Sequence, residues 1–281
     1  MSVLDTNAEN TWCPGCGNFA ILNAVKKSVE KLGQAGVDPR RIVMTAGIGQ
    51  HAKIFDYLSL SGFYGLHGRS MATAQGISFA NPHLKVIDFG GDGDTFGEGL
   101  EHIVFAAKRN ADITVLVHDN GVYALTTGQT APTSERGFVG PSTPRGSAED
   151  PLRPIPLMLE AGASFVARGF AGHVEHLADL IVQAIQHEGF ALLDVLQPCV
   201  TFNNNWKELR EKIEIIDATP EKKEDALAMA KREDKIPIGV IWREEKAPFL
   251  RSAYGNWNPV ADAQSKQERR ERLGSVIEKD D

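Results

Sequence analysis

The stretch VIDFGGDGDTFGEGLEHIVFAAKRNADITVLVHDN (residues 86–120) holds two apolar runs, 86–89 and 113–118. Between them lies a segment, 99–109, whose apolar residues recur at helical spacing. Strand, helix, strand is the unit of a parallel sheet, because two parallel strands need a crossover and a helix supplies it. The same alternation extends outward. Phe19, Leu22, Val25, Val29 and Leu32 mark a helix that Gly33 is placed to end, and residues 41–46 (RIVMTA) read as a strand. A helix over 70–79 leads into the quoted stretch, and beyond it come a strand at 165–167, a helix at 174–187 and a strand at 191–196. The pattern predicts an α/β fold, a mostly parallel sheet with helices on both faces. Ligands in such sheets lie beyond the carboxyl ends of the strands.

Two stretches break the rhythm. Residues 127–153 include 15 Gly, Pro, Ser or Thr among 27, a loop long enough to suggest a lid or a partner contact. After Trp206 the chain is highly charged around a short apolar run, 236–242. The expected organisation is one domain over 1–205 and a charged C-terminal arm, 206–281, packed on that domain or on a partner subunit. With 281 residues, 42% hydrophobic and 24% charged, the composition is that of a globular protein. A formal charge of −7 argues against nucleic acid as a partner. No run approaches the roughly 20 apolar residues of a membrane helix, and MSVLDTNAEN lacks the features of a secretory signal. A cytoplasmic protein is expected.

Chemistry concentrates at Gly91-Asp92-Gly93, followed after 25 residues by Asp119-Asn120. Glycines at a strand end let the backbone approach a phosphate, and the helix that follows directs amides at the anion. Asp92 offers a hard oxygen to Mg²⁺, and Asn120, at the end of the next strand, offers a second. A nicotinamide-binding loop fails on spacing, because Phe96 stands where the third glycine belongs. A plain glycine-rich turn with surface carboxylates is the bland alternative, weakened by the strands that precede both halves of the motif.

The motif is similar to the GDG…NN signature of thiamine-diphosphate enzymes, with Asp119 in place of the first asparagine. The longer string 90–134, together with WCPGCGN (12–18), LHGR (66–69) and LQPCVTFN (196–203), resembles the β subunits of 2-oxoacid:ferredoxin oxidoreductases. The resemblance implies a thiamine-diphosphate-binding fold in the 1–205 domain, and Mg²⁺ held by Asp92, Asn120 and the Val122 carbonyl. Gly91, Gly93 and Asp94 would lie against the diphosphate, bordered by Ile48, Gly49 and Gln50 and by His67, Gly68 and Arg69. Tyr123, Ala124, Leu125 and Thr126 would approach thiamine or substrate, with His67, Arg69, Leu125 and Thr126 nearest the reaction. Taken alone, Arg69 reads as a surface ion pair and His67 as a structural histidine. The implied activity is coenzyme A-dependent oxidative decarboxylation of a 2-oxoacid to acyl-coenzyme A and carbon dioxide, or the reverse. An α subunit would complete the site and ferredoxin would carry the electrons. Relatives place lysine where Thr127 stands, so a substrate other than 2-oxoglutarate is expected.

The same resemblance implies an iron–sulfur cluster on Cys13, Cys16 and Cys199, with a fourth cysteine in a G-I-G-C turn. This chain reads Gly47-Ile48-Gly49-Gln50 there, and it has no further cysteine. A four-iron (4Fe–4S) cluster completed by another group such as His51, a three-iron cluster, and no cluster all stay open. Zinc on three thiolates and a histidine, and redox chemistry of the CxxC pair, are competitors. Two alternatives follow for function: a cluster-free, non-oxidative thiamine-dependent decarboxylase, or a non-catalytic assembly subunit.

Overall fold

The computed structural model describes residues 3–255, 257–261 and 265–277. In chain order the first half contains α1 (Gly17–Gln34), β1 (Ile42–Ala46), α2 (Ile54–Tyr57), β2 (Ser61–Tyr64), α3 (Ser70–Ala80), β3 (Lys85–Gly91), α4 (Leu100–Arg109) and β4 (Ile113–Asp119). A small hairpin, β5 (Val122–Tyr123) with β6 (Gln129–Thr130), follows. The second half contains α5 (Pro154–Glu160), β7 (Phe165–Phe170), α6 (Val174–Gln186), β8 (Phe190–Leu196), α7 (Trp206–Lys212), β9 (Ile213–Ile215), α8 (Lys223–Ala230), β10 (Ile236–Arg243), α9 (Phe249–Tyr254) and α10 (Lys266–Ile277).

Eight strands form one sheet in the order β2-β1-β3-β4-β8-β7-β10-β9. Every neighbouring pair is parallel except β7 and β10. The central strands are buried along their length, which is why β4 (ITVLVHD) is nearly continuous in apolar residues rather than alternating. One face packs on α1, α2 and α6, through residues such as Ile21, Ile54 and Leu177. The other packs on α3, α4, α5 and α8, through Met71, Ile103, Ile155 and Ala226. The α/β fold with helices on both faces is therefore present. Among the described residues no helix is long and apolar enough to cross a membrane.

Three expectations differ in detail. α1 runs past Gly33 to Gln34. The stretch 127–153 is less a free loop than expected. Its start pairs as β6, and Leu152 donates its amide to the Pro132 carbonyl, which folds it back on itself. Residues 236–243, expected within an arm, form β10, a full strand against β7. The charged runs on either side hid it, together with Pro237 and Gly239 inside it, since both residues are unfavourable in strands. Residues 256, 262–264 and 278–281 of the expected 206–281 arm lie outside the described residues.

Candidate functional site

A cleft opens at the carboxyl ends of β1, β3 and β4, where the parallel sheet predicts a ligand. Four short segments line it: Ile48–Gly49–Gln50–His51 after β1, His67 after β2, Gly91–Asp92–Gly93–Asp94 at the end of β3, and Asn120 with Val122 to Thr126 after β4. Most residues expected from the sequence therefore meet in one place. Gly68 and Arg69 are not on the wall. The Gly68 amide is turned under it, and the Arg69 guanidinium donates to the Glu98 carbonyl (2.6 Å) and to Glu101 (3.2 Å). The ion-pair reading of Arg69 describes its contacts.

The residues after Asp92 wind as a wider π-helical turn, Gly93–Glu98, before α4 begins. Such turns recur at functional sites because they re-aim side chains. The turn leaves no room for a side chain at Gly93, whose Cβ would lie 2.2 Å from the Tyr123 ring. Asp94, the next residue, is 3% exposed. Its Oδ1 accepts from the amides of Ile48 (3.0 Å) and Gly68 (2.8 Å) and lies 2.6 Å from His67 Nδ1. Its Oδ2 faces His51 Nε2 at 3.6 Å. Burial works against the charged form of Asp94, but His51 and the two amides outweigh it and hold the carboxyl below its ordinary range. Behind His51 stands His118, buried on β4 with Nδ1 2.7 Å from Asn18 Oδ1, which ties α1 to the site. Burial, with the neighbouring His51, keeps His118 well below the usual histidine range.

The metal-type donors sit on the other side of the turn. Asp92 is 2% exposed and accepts from Thr133 Oγ1 at 2.7 Å. The same hydroxyl lies 2.8 Å from Asp119 Oδ1, so residue 133 props both acids. Burial pushes Asp92 up to about 6. Burial, then the charges of Asp194 and Asp92, push Asp119 well above the carboxylate range. Asn120 forms a local turn, its Oδ1 accepting from the Val122 amide at 3.0 Å. Two buried acids with elevated pKa values beside a turn of oxygen donors are a donor set that a divalent cation relieves. The residues present fit Mg²⁺.

The thiols lie apart from this wall. Cys13 is exposed, Cys16 half-buried and Cys199 buried, and all three are free. Burial, reinforced by Cys199 and Cys13, pushes Cys16 up to about 11. The Gln197 amide donates to Cys16 Sγ (3.6 Å) and the Thr201 hydroxyl to Cys13 Sγ (3.4 Å). Cys16 is near enough to both other thiols to feel their charge. Among the described residues no three His, Cys, Asp or Glu side chains are already gathered as a metal site. Trp12 Nε1 donates to the Gln50 carbonyl at 2.7 Å, linking the CPGC turn to the cleft. His51 faces Asp94 and lines the cleft.

The sequence reading missed His51 as a lining residue and Thr133 as a prop. Position 51 directly follows three residues it did select, so proximity was a usable signal. Thr133 carried none, because its contacts span a loop closure.

Thr127, at the mouth of the hairpin, has φ 77°, a left-handed conformation that β-branched residues rarely adopt. Thr127→Gly should stabilise the protein by about 0.5–1 kcal/mol, the relieved strain exceeding the added chain entropy. Thermal unfolding measures this, and an unchanged or lower midpoint would contradict it.

The comparisons agree with this geometry. A family model described as "Thiamine pyrophosphate enzyme, C-terminal TPP binding domain" matches residues 44–195. A second model, for the C-terminal part of the pyruvate ferredoxin oxidoreductase β chain, matches residues 199–256. The chain is 46% identical over 257 residues to a 2-oxoacid:ferredoxin oxidoreductase subunit beta of Sulfolobus sp, covering 85% of this chain and 83% of the relative. It is 38% identical over 205 residues to a 2-oxoglutarate synthase subunit KorB of Methanothermobacter marburgensis, covering 73% and 71%. Among solved structures, 2-oxoglutarate:ferredoxin oxidoreductase from Magnetococcus marinus, with 2-oxoglutarate, coenzyme A and succinyl-CoA bound, superposes with a TM-score of 0.85 at 34% identity. That match covers 96% of this chain and 89% of the other.

Proposed function

Because this chain belongs to the β subunits of the 2-oxoacid:ferredoxin oxidoreductases, we propose that its cleft binds thiamine diphosphate through Mg²⁺ and that an iron–sulfur cluster held by its thiols would carry electrons away. With an α subunit it converts a 2-oxoacid and coenzyme A to acyl-coenzyme A and carbon dioxide, and ferredoxin takes the electrons. The observation that carries the reading is the convergence of Asp92, Asn120 and Val122 on one cleft, within the segment that matches the thiamine-binding family.

Asp92, the Asn120 side chain and the Val122 carbonyl would hold the metal. Gly91 and Gly93 would let the backbone approach the diphosphate. When bound, thiamine diphosphate supplies the electron sink that decarboxylation of a 2-oxoacid requires. The chain's own work is to orient that cofactor and to bound the substrate with Leu125 and Thr126, which sit at the open side of the cleft. The described lining contains no lysine or arginine. A substrate with a distal carboxylate therefore meets no lysine or arginine in this lining, and we propose a 2-oxoacid without one. Three free thiols suit a reducing compartment, and the cytoplasm is the proposed location.

Cys13, Cys16 and Cys199 would bind an iron–sulfur cluster in which a non-cysteine group replaces the fourth cysteine, whose position Gln50 occupies. That substitution favours one second reading, a cluster-free enzyme that releases aldehyde without reducing ferredoxin. One assay separates them. The αβ complex, held anaerobically with coenzyme A, should reduce ferredoxin with a monocarboxylic 2-oxoacid. It should favour that substrate over 2-oxoglutarate by about tenfold or more in kcat/KM, roughly one ion pair. Aldehyde without ferredoxin reduction would establish the second reading, and a preference for 2-oxoglutarate would reject the substrate class.

A further inference from the structure

We propose that Asp94 is a positioning residue for His67 and not a contact of the diphosphate: it fixes which imidazole nitrogen addresses the cleft. Its consequence for catalysis rests on the thiamine-binding reading above, while the contact itself rests on the chain's own geometry.

A carboxylate beside a diphosphate is repelled by it, so the presence of Asp94 at the diphosphate turn needs another reason. Its contacts supply one. Amides can only donate, so an Oδ1 that already takes the Ile48 and Gly68 amides serves as an acceptor. His67 Nδ1, 2.6 Å away, must then carry the proton of the third bond. With Nδ1 committed to Asp94, Nε2 is the nitrogen His67 has for the cleft. The ring lines that cleft and meets Tyr123 edge to face (6.1 Å between centroids).

The second oxygen is enclosed on two sides. Oδ2 faces His51 Nε2 at 3.6 Å, and a Cβ at Gly47 would lie 1.9 Å from it. Only glycine at 47 admits the carboxylate in this position. The result is a buried carboxylate holding an imidazole by one nitrogen while the other is presented to the site. The same division of labour orients catalytic and metal-binding histidines elsewhere, and losing the orienting partner typically costs about 10–100-fold.

The test uses the αβ complex with ring-¹⁵N-labelled histidine in this subunit. Without cofactor, His67 should show the Nδ1–H tautomer, and Asp94→Asn should abolish that assignment. Kinetically, Asp94→Asn should lower kcat by about 10–100-fold while changing KM for the 2-oxoacid and the affinity for thiamine diphosphate by less than about threefold. His67→Gln should lower kcat to the same degree, and the double variant should lose little more. An Nε2–H tautomer in the unsubstituted protein overturns the proposal whether or not the cofactor binds. So does an Asp94→Asn variant that loses cofactor affinity as an Asp92 variant does. If Asp94→Asn does not assemble with the α subunit, the unsubstituted spectrum and His67→Gln decide the matter. Failure of the unsubstituted complex to bind thiamine diphosphate rejects the functional reading alone, because the tautomer is read without cofactor.

Discussion

Alanine or asparagine at Asp92 should abolish magnesium-dependent binding of thiamine diphosphate to the αβ complex, with at least about a 100-fold loss of affinity. Titration calorimetry with and without Mg²⁺ reads this directly, and retained affinity would refute the metal assignment. The asparagine variant carries a second expectation, opposite in sign. Burial raises the Asp92 carboxyl from 3.8 to about 6, so the folded state holds the proton more tightly than the unfolded chain. Stability is then lost as pH rises from near the unfolded value through the folded one, and the penalty is complete at neutral pH. Without metal, Asp92→Asn should remove a penalty on the order of 2–3 kcal/mol and raise the unfolding midpoint at pH 7. A site whose removal stabilises the empty protein and destroys ligand binding is built for the ligand.

Serine at Cys199 should strip iron from the anaerobically co-purified complex. The unsubstituted complex should hold iron and acid-labile sulfide in cluster proportions, and the variant should fall to background. Loading should also depend on pH. Burial and the adjacent thiols hold Cys16 at about 11, so it is protonated at neutral pH and must release its proton to bind metal. Iron uptake should accordingly weaken as pH is lowered. Absence of iron from the unsubstituted complex would move the assignment to the non-oxidative enzyme.

The parts of the fold legible in the sequence are those whose burial leaves an unambiguous pattern. β3, β4 and β8 are buried on both faces and read as apolar runs, and α1 and α6 show a helical stripe because each has one wet face. β2 left no such trace. All four of its residues are exposed at the edge of the sheet, and SGFY has neither alternation nor an apolar run. β10 was obscured for a different reason, since its partner β7 lies far away in sequence and its own residues include proline and glycine.

The candidate site divides in the same way. Asp92, Gly93, Asn120 and Val122 were readable because a local motif determines where they go. The resemblance marked Arg69 as part of the site, yet nothing local says that its guanidinium turns back to the Glu98 carbonyl. Thr133 and His51 owe their places to tertiary closure: one reaches Asp92 across a loop, and the other meets Asp94 from a different strand end.

β10 also gives the protein a problem of timing. It is the strand that covers β7, and its register puts Arg243 opposite Phe165 and Trp242 opposite Val166. Phe165 and Val166 are fully buried in the finished sheet. A growing chain completes β8 and β7 well before residues 236–243 exist, and until they arrive the sheet ends in a bare apolar edge. Such an edge pairs readily with other chains, so chains cut short before β10 are expected to aggregate more than the full chain. β10, made late, is the strand that makes the domain safe to leave alone.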